Sequence, residues 1–166
     1  MKIVTLVENT CGHEACIAEH GLSLYIETEK HKLLLDTGQT DAVVKNAEVL
    51  GIDLSAVDTV ILSHGHYDHS GGILPFSQIN HSAQIIMQRQ AAEPHYNGDR
   101  YIGIDKAILE LPNVRLIDGD VQLDDELLLV SGITGRRCYP QGNHKLSRMK
   151  TACKFPMIFR MNSALL

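Results

Sequence analysis

The apolar positions of this chain come in short runs separated by polar turns. Met1-Lys2-Ile3-Val4-Thr5-Leu6-Val7 opens with an alternating stretch, and residues 2–8 read as a first strand. Residues 21–28 and 31–35 predict a second and third strand. The short polar step Glu29-Lys30 between them makes the pair a hairpin. Val57-Asp58-Thr59-Val60-Ile61-Leu62 reads as a buried strand, and residues 83–88, 114–117 and 126–130 as further strands. Helical spacing appears at Val43, Val44, Ala47 and Leu50, after Thr40 as N-cap and before Gly51 as a stop. A short helix is expected from His69 through Ile73, Leu74 and Phe76, with Pro75 in its first turn or ending it. Another is expected over 105–111, before Pro112. Residues 9–20 read as a loop, and 90–104 as an irregular insertion near the mouth of any site. Alternating hairpins and helices predict an α/β sandwich: two sheets flanked by helices.

The densest chemistry follows the buried strand at once. Ser63-His64-Gly65-His66-Tyr67-Asp68-His69-Ser70-Gly71-Gly72 puts three histidines and an aspartate into six positions. A rigid strand that empties into such a turn is a good mount for a metal site. His64 and His66 are two apart, so in extended chain both imidazoles leave one face and can grip one cation. Asp68 and His69 come after the chain has turned and can serve a second. Imidazole with carboxylate suits zinc, with iron or manganese as alternatives. Asp36, which ends the third predicted strand, has two readings. It either accepts hydrogen bonds from the histidine turn and holds a tautomer, or caps an ordinary turn at Gly38. His13 and His20 read as surface or packing histidines. His95 falls where a substrate could reach it, but in no motif, and His144 sits in a plain turn.

Composition narrows the choice of partner. The chain has 166 residues, 44% of them hydrophobic and 21% charged, which fits one domain with one core. Net charge is −5 with no basic cluster, which argues against a nucleic-acid surface; a small-molecule substrate is the partner expected. No apolar run approaches the roughly 20 residues of a membrane span, and the N-terminus lacks a signal-peptide pattern, so a cytoplasmic location is expected. Cys11, Cys16, Cys138 and Cys153 read as free thiols of a reducing compartment. Cys11 and Cys16 lack the two-residue spacing of a zinc knuckle.

His-x-His-x-Asp-His after an apolar strand, preceded by Asp36-Thr37-Gly38, resembles the metallo-β-lactamase superfamily. Glu19-His20-Gly21-Leu22-Ser23, Leu35-Asp36-Thr37-Gly38-Gln39 and Arg100-Tyr101-Ile102-Gly103-Ile104 are similar to its dihydropterin-ribofuranosylaminobenzene phosphate synthase-like branch. The resemblance implies an αββα sandwich, of which this chain carries the N-terminal half and part of the second. It implies up to two zinc ions, with His64 and His66 on the first and His69 on the second. Asp68 would bind a metal and orient the attacking water, and so is the candidate catalytic residue; Asp36 would act behind the ligands. Hydrolysis is the default chemistry, with transfer between a pterin diphosphate and an aminobenzene ribosyl phosphate as the alternative. Residues 1–148 carry the resemblance and 149–166 do not. Relatives of the branch continue into a second half with further ligands that nothing here matches. A shifted reading frame in the gene or clone would account for the tail; a naturally short chain is the competing account. An incomplete sandwich would leave apolar sheet surface open to a second copy, so homo-oligomers are expected. A catalytically impaired metal-binding remnant is also a reading of such a chain.

Overall fold

A computed structural model of the 166-residue chain describes residues 1–132, 145–150, 153–156 and 164–165. Cys138, His144 and most of the atypical tail fall outside the described residues.

The fold is mixed α/β and is built on a six-stranded sheet. Its strands are β1 (Lys2–Val7), β2 (Ser23–Glu27), β3 (Lys32–Leu35), β4 (Thr59–Leu62), β5 (Gln84–Gln88) and β8 (Val114–Ile117), in the order β1-β2-β3-β4-β5-β8. The first three run antiparallel as hairpins, and β3, β4, β5 and β8 run parallel. Consecutive Leu33 and Leu34 are both fully buried, as are Val60 and Ile61. Adjacent strand residues point to opposite faces, so the centre of this sheet is covered on both sides. Tyr25, Leu34, Val60, Leu62, Ile85 and Met87 meet α1 (Ala42–Val49) and α3 (Ile73–Ser77) through Val43, Ala47, Ile73 and Phe76. The other face, with Ile26, Leu33, Ile61 and Ile86, is covered by Leu127 and Leu129. Leu129 lies in β10 (Leu128–Val130), which pairs with β9 (Val121–Gln122) and with β13 (Ala164–Leu165). The third sheet has the order β12-β11-β6-β7, from β6 (His95–Asn97), β7 (Arg100–Tyr101), β11 (Leu146–Lys150) and β12 (Cys153–Pro156).

Several expectations shift locally. Thr40 is not the N-cap of α1: Asp41 is, without a side-chain cap. The Thr40 hydroxyl donates to Glu19 at 2.6 Å while accepting the Ala42 N–H at 3.1 Å, so the helix begins one residue late. Its end is as expected. Gly51 takes a left-handed φ of 67°, and the Gly51 and Ile52 N–H groups close on Glu48 and Ala47 at 3.2 and 2.8 Å. The single helix expected from His69 is two, α2 (Tyr67–Ser70) and α3, parted by Gly71-Gly72. The irregular insertion over 90–104 holds a one-turn 3-10 helix at Arg89–Ala92 and the β6–β7 hairpin, which Gly98 turns with φ 60°. Residues 9–20 are a loop, but a tethered one. Buried Asn46 donates to Leu6 and Ile17 carbonyls at 2.7 and 2.8 Å and accepts the Ile17 N–H at 2.7 Å.

Candidate metal centre

The histidine turn sits at the carboxyl end of β4, where parallel strands present their loops. β4 is buried throughout and rigid, so what leaves it starts from a fixed point. Gly65 lets the turn fold back against the next crossover: a Cβ there would lie 1.9 Å from the Ala91 carbonyl oxygen. Only a residue without a side chain fits. The chain then enters α2, whose first residue is fastened by Tyr67 N–H to the Ile102 carbonyl at 3.0 Å. This places His64 and His66 before the turn and Asp68 and His69 one helical step after it.

Asp36 stands at the end of β3, the strand beside β4, in a left-handed conformation (φ 57°) that side chains rarely adopt. The surroundings over-determine it. It is 1% exposed. One carboxylate oxygen accepts the Ser63 N–H at 2.7 Å; the other accepts the Ser63 hydroxyl at 2.6 Å and lies 2.7 Å from His69 Nδ1. Ser63 Oγ is in turn 2.9 Å from His64 Nδ1. Asp36 thus orients two histidines, one directly and one through Ser63. Of its two sequence readings, the one behind the ligands matches this geometry. A hydrogen bond at Nδ1 leaves Nε2 as the nitrogen through which each ring binds an ion.

The rings converge. His64 and His66 have centroids 4.6 Å apart, and His64 and His69 4.1 Å apart. Ligand atoms of Asp36, His64 and His69 all lie within 4.8 Å of one another. Burial pushes His64 down to about 2, helped by His69, His66 and His95 nearby. Burial also lowers His66, with Asp68 opposing and His69 assisting. His69 goes the other way: burial pulls it down, but the bond to Asp36 and the charges of Asp36 and Asp68 outweigh burial and raise it. Two imidazoles held neutral, a third oriented by a carboxylate, and a further carboxylate alongside make a donor set that fits a borderline divalent ion.

Above the rings lies a cavity of about 260 Å³ lined by His20, His64, His66, Asp68, His69 and the β6–β7 residues Asn97 and Arg100, among others. His20 was read from sequence as a surface or packing histidine. It is 69% exposed, as that reading expected, and it also lines this cavity. Its Nε2 is 3.2 Å from an Asp68 carboxylate oxygen, and its Nδ1 is 2.9 Å from Asn9 Oδ1. No spacing rule joins residue 20 to residue 68. The available sign was the resemblance itself, whose matching stretches include Glu19-His20-Gly21. His13 instead lies in the outer part of that loop, where Nδ1 accepts the Ala15 N–H. His95 does not open onto substrate: it is 2% exposed, with its ring 5.3 Å edge-on from His66. Arg100 and Asn97 had no assigned role in the sequence.

Residues 17–144 match the model of the metallo-beta-lactamase superfamily, and the chain belongs to that superfamily. It is 33% identical over 141 residues to an uncharacterized protein of Methanocaldococcus jannaschii, a match covering 81% of this chain and 54% of that protein. A 7,8-dihydropterin-6-methyl-4-(beta-D-ribofuranosyl)-aminobenzene-5'-phosphate synthase of the same organism is 38% identical over 79 residues, 44% of this chain and 27% of the synthase. Among solved structures, Tm1679, described as a metal-dependent hydrolase of the beta-lactamase superfamily, superposes with a TM-score of 0.81 at 27% identity. That superposition covers 98% of this chain and 59% of Tm1679. The chain therefore spans about half the length of relatives that match most of it. Among the described residues, no helix is long and apolar enough to cross a membrane.

Proposed function

We propose that this chain is the metal-binding half of a metal-dependent hydrolase acting on a small-molecule substrate. The observation that carries the reading is the converging cluster of His64, His66 and His69, oriented from behind by Asp36 and Ser63. His64, His66, Asp68 and His69 are the assigned ligands, with zinc the first choice and iron or manganese alternatives. Asp36 is not assigned as a ligand, because its carboxylate already receives the Ser63 N–H, the Ser63 hydroxyl and His69 Nδ1. When bound, up to two divalent ions there supply Lewis-acid polarisation and a water that ionises near neutral pH.

The chain's own residues do the rest. Burial keeps His64 and His66 neutral, the form that binds a cation. Asp68 turns its carboxylate toward the cavity, where it accepts the proton of an attacking water and holds that water's orientation. His20 fixes Asp68 from the solvent side. The cytosol and a substrate other than nucleic acid belong to the same reading, as does self-association of the 166-residue chain.

Metal content of freshly purified protein tests it, with His66→Ala as control and a panel of ester, thioester, lactone and phosphodiester substrates. Zinc, iron or manganese near one equivalent or more, lost in the variant, is expected. An empty wild-type chain in excess zinc would sink the reading. One observation favours a second possibility, synthase-type transfer: the 38% identity with the aminobenzene-phosphate synthase. Turnover of a pterin diphosphate, with none of the panel hydrolysed, would select it. A chain that holds metal but turns over neither class is a binding remnant.

A further inference from the structure

The cavity over the histidines has one cationic side chain that the metal chemistry does not use. Arg100 is the sole Lys or Arg among the described residues lining it. The guanidinium stacks over the Tyr67 ring, 5.4 Å from its centroid, with an Nη atom 3.4 Å from the Tyr67 hydroxyl. Tyr67 is the residue before Asp68, so this stacking sets the positive charge beside the candidate ligands. Among the described residues, no carboxylate pairs with Arg100, whereas Arg89 is paired with Asp118 at 3.0 Å.

Asn97 completes the arrangement. It is directly opposite Arg100 across the β6–β7 hairpin. Directly opposed residues of an antiparallel pair share one face, and both of these line the cavity. The hairpin is anchored: Asn97 is in register with Leu146 of β11, and Gly98 N–H reaches the Lys145 carbonyl at 3.2 Å. A guanidinium held by stacking keeps its planar fork of N–H donors for a ligand, and that fork matches the oxygens of a phosphate or carboxylate.

We propose that Arg100 and Asn97 form an anion clamp, and that the substrate carries a phosphate or carboxylate group away from the bond that reacts. The chain as a whole carries a net charge of −5, so its overall charge does not attract anions; the attraction is local to this cavity. The inference rests on the hydrolase reading only for where the reacting bond lies. The clamp itself exists with or without an ion on the histidines.

The test is a calorimetric titration of the 166-residue chain with phenyl phosphate, benzoate and neutral benzamide, once metal-free and once with added zinc. Any direct contact of an anion with zinc is common to wild type and variant, so their ratio isolates the clamp. Arg100→Gln is expected to weaken the preferred anion about tenfold or more and leave benzamide unchanged, and Arg100→Lys to fall between. Asn97→Ala is expected to cost roughly two- to fivefold. The stronger of phenyl phosphate and benzoate in wild type identifies the anion. Equal anion affinity in wild type and Arg100→Gln, equal loss of benzamide, or no anion binding by wild type would each overturn the clamp. Zinc uptake with an unchanged ratio would sink the clamp alone. A selective ratio without zinc uptake would sink the hydrolase reading alone.

Discussion

Strand β4 has a histidine–aspartate cluster at each end, and the two are wired in opposite ways. At its start, Asp58 meets His31 Nδ1 at 3.1 Å while Asp124 takes the other ring nitrogen. Both nitrogens of His31 face carboxylates, so the ring is best served as a cation. Burial pulls its pKa down, but the bonds to Asp58 and Asp124 outweigh that and raise it. At the other end of the strand, Asp36 takes only Nδ1 of His69, whose Nε2 lies 3.7 Å from Asp68. Ser63, not a carboxylate, meets His64 Nδ1, and burial holds that ring neutral down to about 2. The same two residue types thus make an ion-pair latch at one end and a candidate ligand array at the other. What separates them is that, among the described residues, carboxylates meet both nitrogens of His31 at hydrogen-bond distance but only one of His69, while a hydroxyl meets Nδ1 of His64.

The sharpest way to break the contrast is His66→Ala, which removes a proposed ligand. Zinc affinity is expected to fall by more than the roughly 10–100-fold that loss of an outer partner costs. Equilibrium dialysis reads it, and unchanged uptake would mean that the rings do not bind the ion. Asp36→Asn should cost about 10–100-fold, because it unfixes His69 and Ser63 without removing a ligand.

It should also move the acid limb. A ligand must be unprotonated to bind, and His69 is raised, so zinc affinity falls as pH drops through the His69 pKa. Without the Asp36 charge that pKa falls, and the midpoint of the limb shifts to lower pH. An unmoved midpoint in the variant would assign the limb to another group.

At the latch the sign reverses. His31 has a raised pKa in the folded state, so its contribution is fully present below the ordinary histidine pKa of about 6.5 and is lost as pH rises through the folded value. His31→Gln is expected to lower the melting temperature by about 1–3 °C at pH 6 and by less at pH 8.5. A pH-independent difference would show that His31 acts by packing. Smallest is Lys30→Ala. Lys30 reaches Asp125 across the same corner, but both side chains are exposed at 52% and 76%. No measurable change in melting temperature is expected, and a large one would extend the latch to this pair.

Much of this was legible along the chain. The alternation at Lys2–Val7, the hairpin partners Ser23–Glu27 and Lys32–Leu35, and the buried run into Ser63 all read correctly, because period-two patterning is a local property. The histidine turn was legible for the same reason, since its residues are neighbours in sequence. Thr40 misled because a competing acceptor, Glu19, comes from a distant loop. The contacts of exposed His20 with Asp68 and of Arg100 with Tyr67 were not foreseen, because nothing near those residues in sequence refers to residues 67 and 68.

By itself, then, the sequence determined the strands, the turn of donors and the superfamily to which they belong, since each is written in adjacent or regularly spaced residues. Only tertiary structure decided which nitrogen of His64 and of His69 is held, that His20 reaches Asp68, and that Arg100 and Asn97 stand above the rings. Those facts depend on contacts between segments far apart in the chain, where register and packing, not local propensity, choose the partner.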